Sequence, residues 1–118
     1  PDLPRVNPVT AVDWNAERRR DTGMWAGMLA GWFVQLSKLD NTVRREFHLL
    51  TLLSGSRPTA LKSIRMEHID IRRRLLHIPK PKGGEKRAFD IPLSRSMIRC
   101  IIRATRVGRI AYPDQACF

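Results

Sequence analysis

The sequence predicts an α+β fold, mainly helical, in which helices pack with a small three-stranded antiparallel sheet. Two observations carry that expectation. Apolar residues recur at helical spacing up to Ile64 and again after Ser94, whereas the segment between turns to short aliphatic, β-favouring runs. Capping and turn residues stand at the junctions: Asn41, Gly55, Pro58, Gly83-Gly84 and Ser94.

Residues 1–20 hold three prolines before Asn15 and then the basic run Arg18-Arg19-Arg20, and read as a linker preceding one partial domain over 21–118. Met24 to Leu39 carries apolar side chains on most faces, among them Trp25, Met28, Trp32, Phe33 and Leu36. This predicts a well-buried helix, with Gly27 and Gly31 letting a neighbour approach closely. Asp40 or Asn41 can cap a second helix built on Val43, Phe47, Leu50 and Leu53, and Gly55 suits its left-handed stop. Pro58 fits the first position of a short third helix over Thr59 to Ile64, which puts Arg57 at its cap.

Ile69–Ile71, Leu75–Ile78 and Arg87–Ile91 predict the three strands. Between the last two lies Pro79-Lys80-Pro81-Lys82-Gly83-Gly84-Glu85-Lys86, a turn with two glycines and three lysines. Ser94 caps a fourth helix with Met97, Ile98, Ile101 and Ile102 on one face, which Gly108 is expected to stop. Arg95, Arg99, Arg103 and Arg106 form a stripe on the opposite face, read as a solvated surface.

The chain has 118 residues and a net charge of +11. Residues 62–109 hold fourteen Lys/Arg against four Asp/Glu, so ten of the eleven net positive charges sit there. That concentration is the footprint of a nucleic-acid surface, and double-stranded DNA is the expected partner. A membrane is not expected: the longest apolar run, Met24 to Leu36, is short of the roughly 20 residues a bilayer requires. Two cysteines, Cys100 and Cys117, without a CxxC or a His/Cys cluster, argue against structural metal or a disulfide framework. A reducing, cytoplasmic setting follows as the expectation. An arginine at a helix entrance beside a lysine-bearing turn points to chemistry or binding at a backbone phosphate.

Ser54-Gly55-Ser56-Arg57, followed by His68-Ile69-Asp70, the lysine hairpin and Ile91-Pro92-Leu93-Ser94, resembles the tyrosine recombinase (phage integrase) family. The similarity is strong over residues 40–95. It implies an incomplete tyrosine-recombinase catalytic domain, namely its N-terminal half, from a bacterial or phage-encoded enzyme acting on DNA. Such enzymes break and rejoin DNA through a 3′-phosphotyrosine intermediate without ATP, metal or other cofactor.

By this resemblance Arg57 matches the first catalytic arginine, which contacts non-bridging oxygens of the scissile phosphate. Lys82 best matches the hairpin lysine that protonates the leaving 5′ oxygen, with Lys80 and Lys86 on the same turn as alternatives. Lys80, Lys86, Arg87, Lys62 and Arg65 are the expected DNA-binding residues. The remainder of the parent domain is another expected partner, and half a domain with its inner face uncovered is expected to show an exposed apolar patch or self-association on DNA.

The sequence departs from the family in three respects. Ala60 stands where the family usually has Glu, and no His-x-x-Arg occurs among these residues: Thr51, Ile71 and Lys80 follow the three histidines at that offset. The only tyrosine, Tyr112, comes too early in the order of elements to be the nucleophile, and is read as structural. The isolated chain is therefore expected not to cleave DNA. The alternative is a non-catalytic DNA-binding module, a degenerate integrase remnant.

Overall fold

The computed structural model describes residues 21–114. The expectations for the proline-rich linker, Arg18-Arg19-Arg20 and Cys117 lie outside the described residues. The described part is mainly helical with one three-stranded antiparallel sheet.

A 3-10 turn, Ala26–Met28, leads into α1, Leu29–Ser37. This helix corrects the expectation of a well-buried first element. Only Leu36 of α1 is buried, while Trp25, Met28, Phe33 and Val34 are exposed. Nor do its glycines serve a close approach. A Cβ on Gly31 would meet nothing, and one on Gly27 would meet only the ring of Trp25. Apolar residues on every face made the segment look enclosed, but no second layer among the described residues covers it.

Asn41 caps α2, Thr42–Ser54, its side chain accepting from the Arg44 amide at 3.0 Å. Gly55 ends the helix at φ 63°, a left-handed conformation that costs glycine little. Arg57, extended at φ −68° and ψ 137°, precedes α3, Pro58–Lys62, with Pro58 supplying its first turn. A 3-10 turn over Met66–His68, absent from the sequence reading, delivers the chain to the sheet.

The strands β1 (Ile69–Asp70), β2 (Leu75–Ile78) and β3 (Phe89–Pro92) pair in that order. Register sets Leu76 opposite Ile69 and Ile91, and His77 opposite Asp90. Arg87 is not on a strand as expected; it closes a 3-10 turn, Glu85–Arg87, inside the lysine loop. Alternation along β2 buries Leu76 and Ile78 and turns His77 outward.

Ser94 caps α4, Arg95–Ala111, by accepting from the Met97 amide at 3.2 Å. The helix runs through Gly108 rather than stopping there. A Cβ at Gly108 would stand 3.8 Å from Val43, so the residue marks where α2 and α4 lie side by side. Met97, Cys100, Ile101 and Ala104 of α4 are buried, while Ile98 is half-buried and Ile102 exposed. Together with Leu50, Leu61, Leu76 and Ile78, the α4 residues Met97, Cys100 and Ile101 make a core between helices and sheet. Among the described residues no helix is long and apolar enough to cross a membrane.

Candidate nucleic-acid interface

Arg57 stands at the α2–α3 joint because two local features fix the backbone there: the left-handed Gly55 and the ring of Pro58. Its side chain makes no capping hydrogen bond and no ion pair among the described residues, and it is exposed. The guanidinium is thus open to an external acceptor. Because α3 is only five residues long, the positive potential at this point comes from Arg57 itself rather than from a helix dipole.

The loop between β2 and β3 gathers Lys80, Lys82, Lys86 and Arg87, all exposed. Gly83 and Gly84, at φ 111° and 88°, give it the tight path that brings the Gly84 amide to the Pro81 carbonyl at 3.0 Å. Lys80 pairs with Glu85 at 3.1 Å, whereas Lys82 and Lys86 have no acidic partner among the described residues. A surface pair of this kind is worth at most about 1 kcal/mol, so it biases Lys80 away from a DNA contact without preventing one.

Lys62 closes α3 and lines a shallow hollow with Asn41, Val43, Arg44, Phe47 and Tyr112. Arg65 precedes the 3-10 turn, its amide donating to His68 Nδ1 at 3.0 Å. A second hollow lies between α2 and α4, lined by residues that include Leu49, Leu53, Arg99 and Arg103. Neither hollow includes Arg57 or Lys82, and no hydrogen bond joins those two residues.

The structure also displays arrangements that the sequence reading missed. Arg103 does not belong to a solvated stripe. It grips Glu46 of α2 with two hydrogen bonds of 2.8 Å, and Glu46 is only 3% exposed. Burial alone would push the Glu46 carboxyl up, but the hydrogen bonds and charge of Arg103 outweigh it and hold the carboxyl below its ordinary value. Burial, with the Glu46 carboxylate beside it, pushes the Cys100 thiol up to about 11. The only sequence signal for the pair was one acid on α2 at helical spacing from Val43, Leu49 and Leu50.

On the outer face of the sheet His77 Nδ1–H donates to Asp90 Oδ1 at 2.7 Å, with the His68 ring 5.9 Å from that of His77. A carboxylate only accepts, so Asp90 directs the Nδ1 proton of His77 toward itself. Cross-strand register, invisible in sequence, makes this pair.

The β1–β2 turn carries Arg72, Arg73 and Arg74, all exposed, with Arg74 at φ 55°. Asp70 orders it by accepting from the Arg73 amide at 2.9 Å. Three arginines in succession were visible in the sequence, but only the turn shows that all of them point away from the core. Among the described residues no group of three His, Cys, Asp or Glu could hold a metal ion.

No protein-family model matches this chain, and no curated protein or solved structure matches it either.

Proposed function

We propose that this chain forms part of the catalytic domain of a DNA-breaking and rejoining enzyme of the tyrosine recombinase type. In this reading Arg57 binds the non-bridging oxygens of a backbone phosphate and Lys82 donates a proton to the leaving 5′ oxygen. The supporting observation is local: the exposed, unpaired Arg57 follows the Ser54-Gly55-Ser56 joint, and the β2–β3 loop carries the lysines. A guanidinium suits the phosphate because it can donate two parallel hydrogen bonds to oxygens that gain charge as the phosphorus becomes pentacoordinate. A protonated amine suits the leaving group because it neutralises an alkoxide without a metal. The tyrosine nucleophile and the His-x-x-Arg motif would come from outside these 118 residues.

The roles separate by chemistry. A substrate with sulfur in place of the 5′ bridging oxygen expels a thiolate, which needs no proton. In the enzyme that supplies the tyrosine, this substrate should restore cleavage to Lys82→Ala and leave Arg57→Ala inactive. Rescue of neither variant would remove Lys82 from the general-acid role.

A second reading, a DNA-binding module without catalysis, is favoured by one observation. Tyr112 lines the hollow beside Phe47 and Lys62, and neither hollow includes Arg57 or Lys82. Under this reading Arg57→Ala would weaken DNA binding as one phosphate contact among several, with no cleavage to lose.

A further inference from the structure

We infer that the outer face of α4 is a second surface for duplex DNA, one that tracks a phosphate backbone separately from Arg57 and the lysine loop. The inference rests on the DNA reading above but concerns a different surface.

At 3.6 residues per turn, Arg95, Arg99, Arg106 and Arg109 fall within an arc of about 80°, and they span about 21 Å of helix axis. All four are exposed, and none has an acidic partner among the described residues. The fifth arginine, Arg103, lies about 40° beyond this arc and is engaged by Glu46. Glu46 is the only acid on α2, and α4 contains none. No counter-charge for the other four therefore stands on this helix pair.

An ordinary solvated helix face mixes signs, because acid–base pairs at i,i+4 stabilise it and like charges there oppose it. Here Arg95 and Arg99 are four apart, and Arg106 and Arg109 three apart, with no acidic partner among the described residues, and the helix dipole favours only Arg109, in the last turn. Arg95 occupies the first turn, where the helix dipole also disfavours a cation. An arrangement that costs the free helix stability in both ways is relieved when a polyanion lies along it. Every cation is arginine and none lysine, which suits bidentate contacts to phosphate oxygens. The narrowness of the arc favours one line of phosphates over insertion into a groove, where both flanks of a helix would meet a backbone. Ile102 lies within the arc at the helix surface, the one apolar side chain among the four arginines.

Salt-dependent binding tests the surface. Each phosphate contact contributes about 0.9 to the slope of log K against log salt on duplex DNA. Fluorescence anisotropy on a short duplex should show Arg99→Gln/Arg106→Gln lowering that slope by about 1.8, and Lys82→Ala/Lys86→Ala lowering it independently. The arginine variant should melt no lower than the parent, since it removes repulsion and breaks no hydrogen bond or ion pair among the described residues.

An unchanged slope in the arginine variant, with a reduced one in the lysine variant, would overturn the α4 surface and leave the proposed site standing. The reverse pattern would support α4 and remove the lysine loop. A lowered melting temperature would make the arginines structural and overturn the inference. So would loss of poly-glutamate binding with duplex binding intact, which would assign the face to an acidic protein.

Discussion

Arg103 on α4 and Glu46 on α2 are joined by two parallel hydrogen bonds of 2.8 Å, and they tie together the two helices that form the principal helix pair. Glu46 is almost wholly enclosed, whereas Arg103 keeps about half its side chain in solvent. Removing the arginine takes both hydrogen bonds from a buried carboxylate and leaves it only Arg45, at 3.9 Å, as a cation among the described residues. Arg103→Ala should therefore destabilise the domain by about 2–4 kcal/mol, toward the lower side of what a fully buried pair costs. Urea denaturation would measure it, and a change below about 0.5 kcal/mol would mean that water replaces the guanidinium.

The same pair sets a pH dependence whose sign follows from its geometry. Arg103 holds the Glu46 carboxyl below its ordinary value of 4.5 in the folded state. Its stabilisation is complete above the unfolded value and is lost as pH falls through the lower, folded one, so the window lies below about pH 4.5. In Arg103→Ala the burial of Glu46 is opposed only by the Cys100 thiol and the Arg45 guanidinium, so the folded value rises relative to that of the parent. Acidification should then recover part of the lost stability. Denaturation curves for both proteins from neutral pH to about pH 3 should converge as pH falls; parallel curves would contradict this coupling.

Cys100 borders the pair, with its sulfur 3.6 Å from an Arg103 nitrogen. Buried and pushed up to about 11, its thiol has almost no thiolate near neutrality. Iodoacetamide at about pH 8 should leave Cys100 unmodified in the native protein and label it in urea, read by peptide mass spectrometry. Equal labelling in both conditions would mean that the α2–α4 contact opens readily.

Two glycines should respond to alanine with opposite signs. Gly55 has open space around its missing Cβ but sits at φ 63°, so Gly55→Ala should cost about 1 kcal/mol through backbone strain alone. Gly108 is within a helix, and its added Cβ would meet Val43 at an ordinary 3.8 Å. Gly108→Ala should stabilise by about 0.5–1 kcal/mol through helix propensity. Thermal melts of the two variants should move in opposite directions.

Where local rules governed an element, the sequence was a sound guide. The Asn41 and Ser94 caps, the Gly55 stop, Pro58 in the first turn of α3 and the β2 run all act within a few residues of themselves. It misled where an outcome depends on a distant neighbour. Gly108 looked like a terminator because its value as a contact point depends on Val43, sixty-five positions away in the chain. The apolar faces of α1 looked enclosed because composition does not say whether a second layer is present. Arg103 looked solvated because its partner lies on another helix.

At the candidate site the positions of Arg57 and the lysines were legible because a cap and a two-glycine turn are local features. The Lys80–Glu85 and His77–Asp90 pairs follow from the folded loop and the strand register, which no spacing rule supplies.

The most direct measurement compares cleavage and binding for Arg57→Ala in the enzyme that supplies the tyrosine, on one duplex and at one salt concentration. If this guanidinium stabilises charge developing on a phosphate, cleavage should fall by at least about 10²–10³ while affinity falls by no more than one phosphate contact allows. Equal losses of cleavage and affinity, or cleavage that survives the substitution, would contradict the role assigned to Arg57.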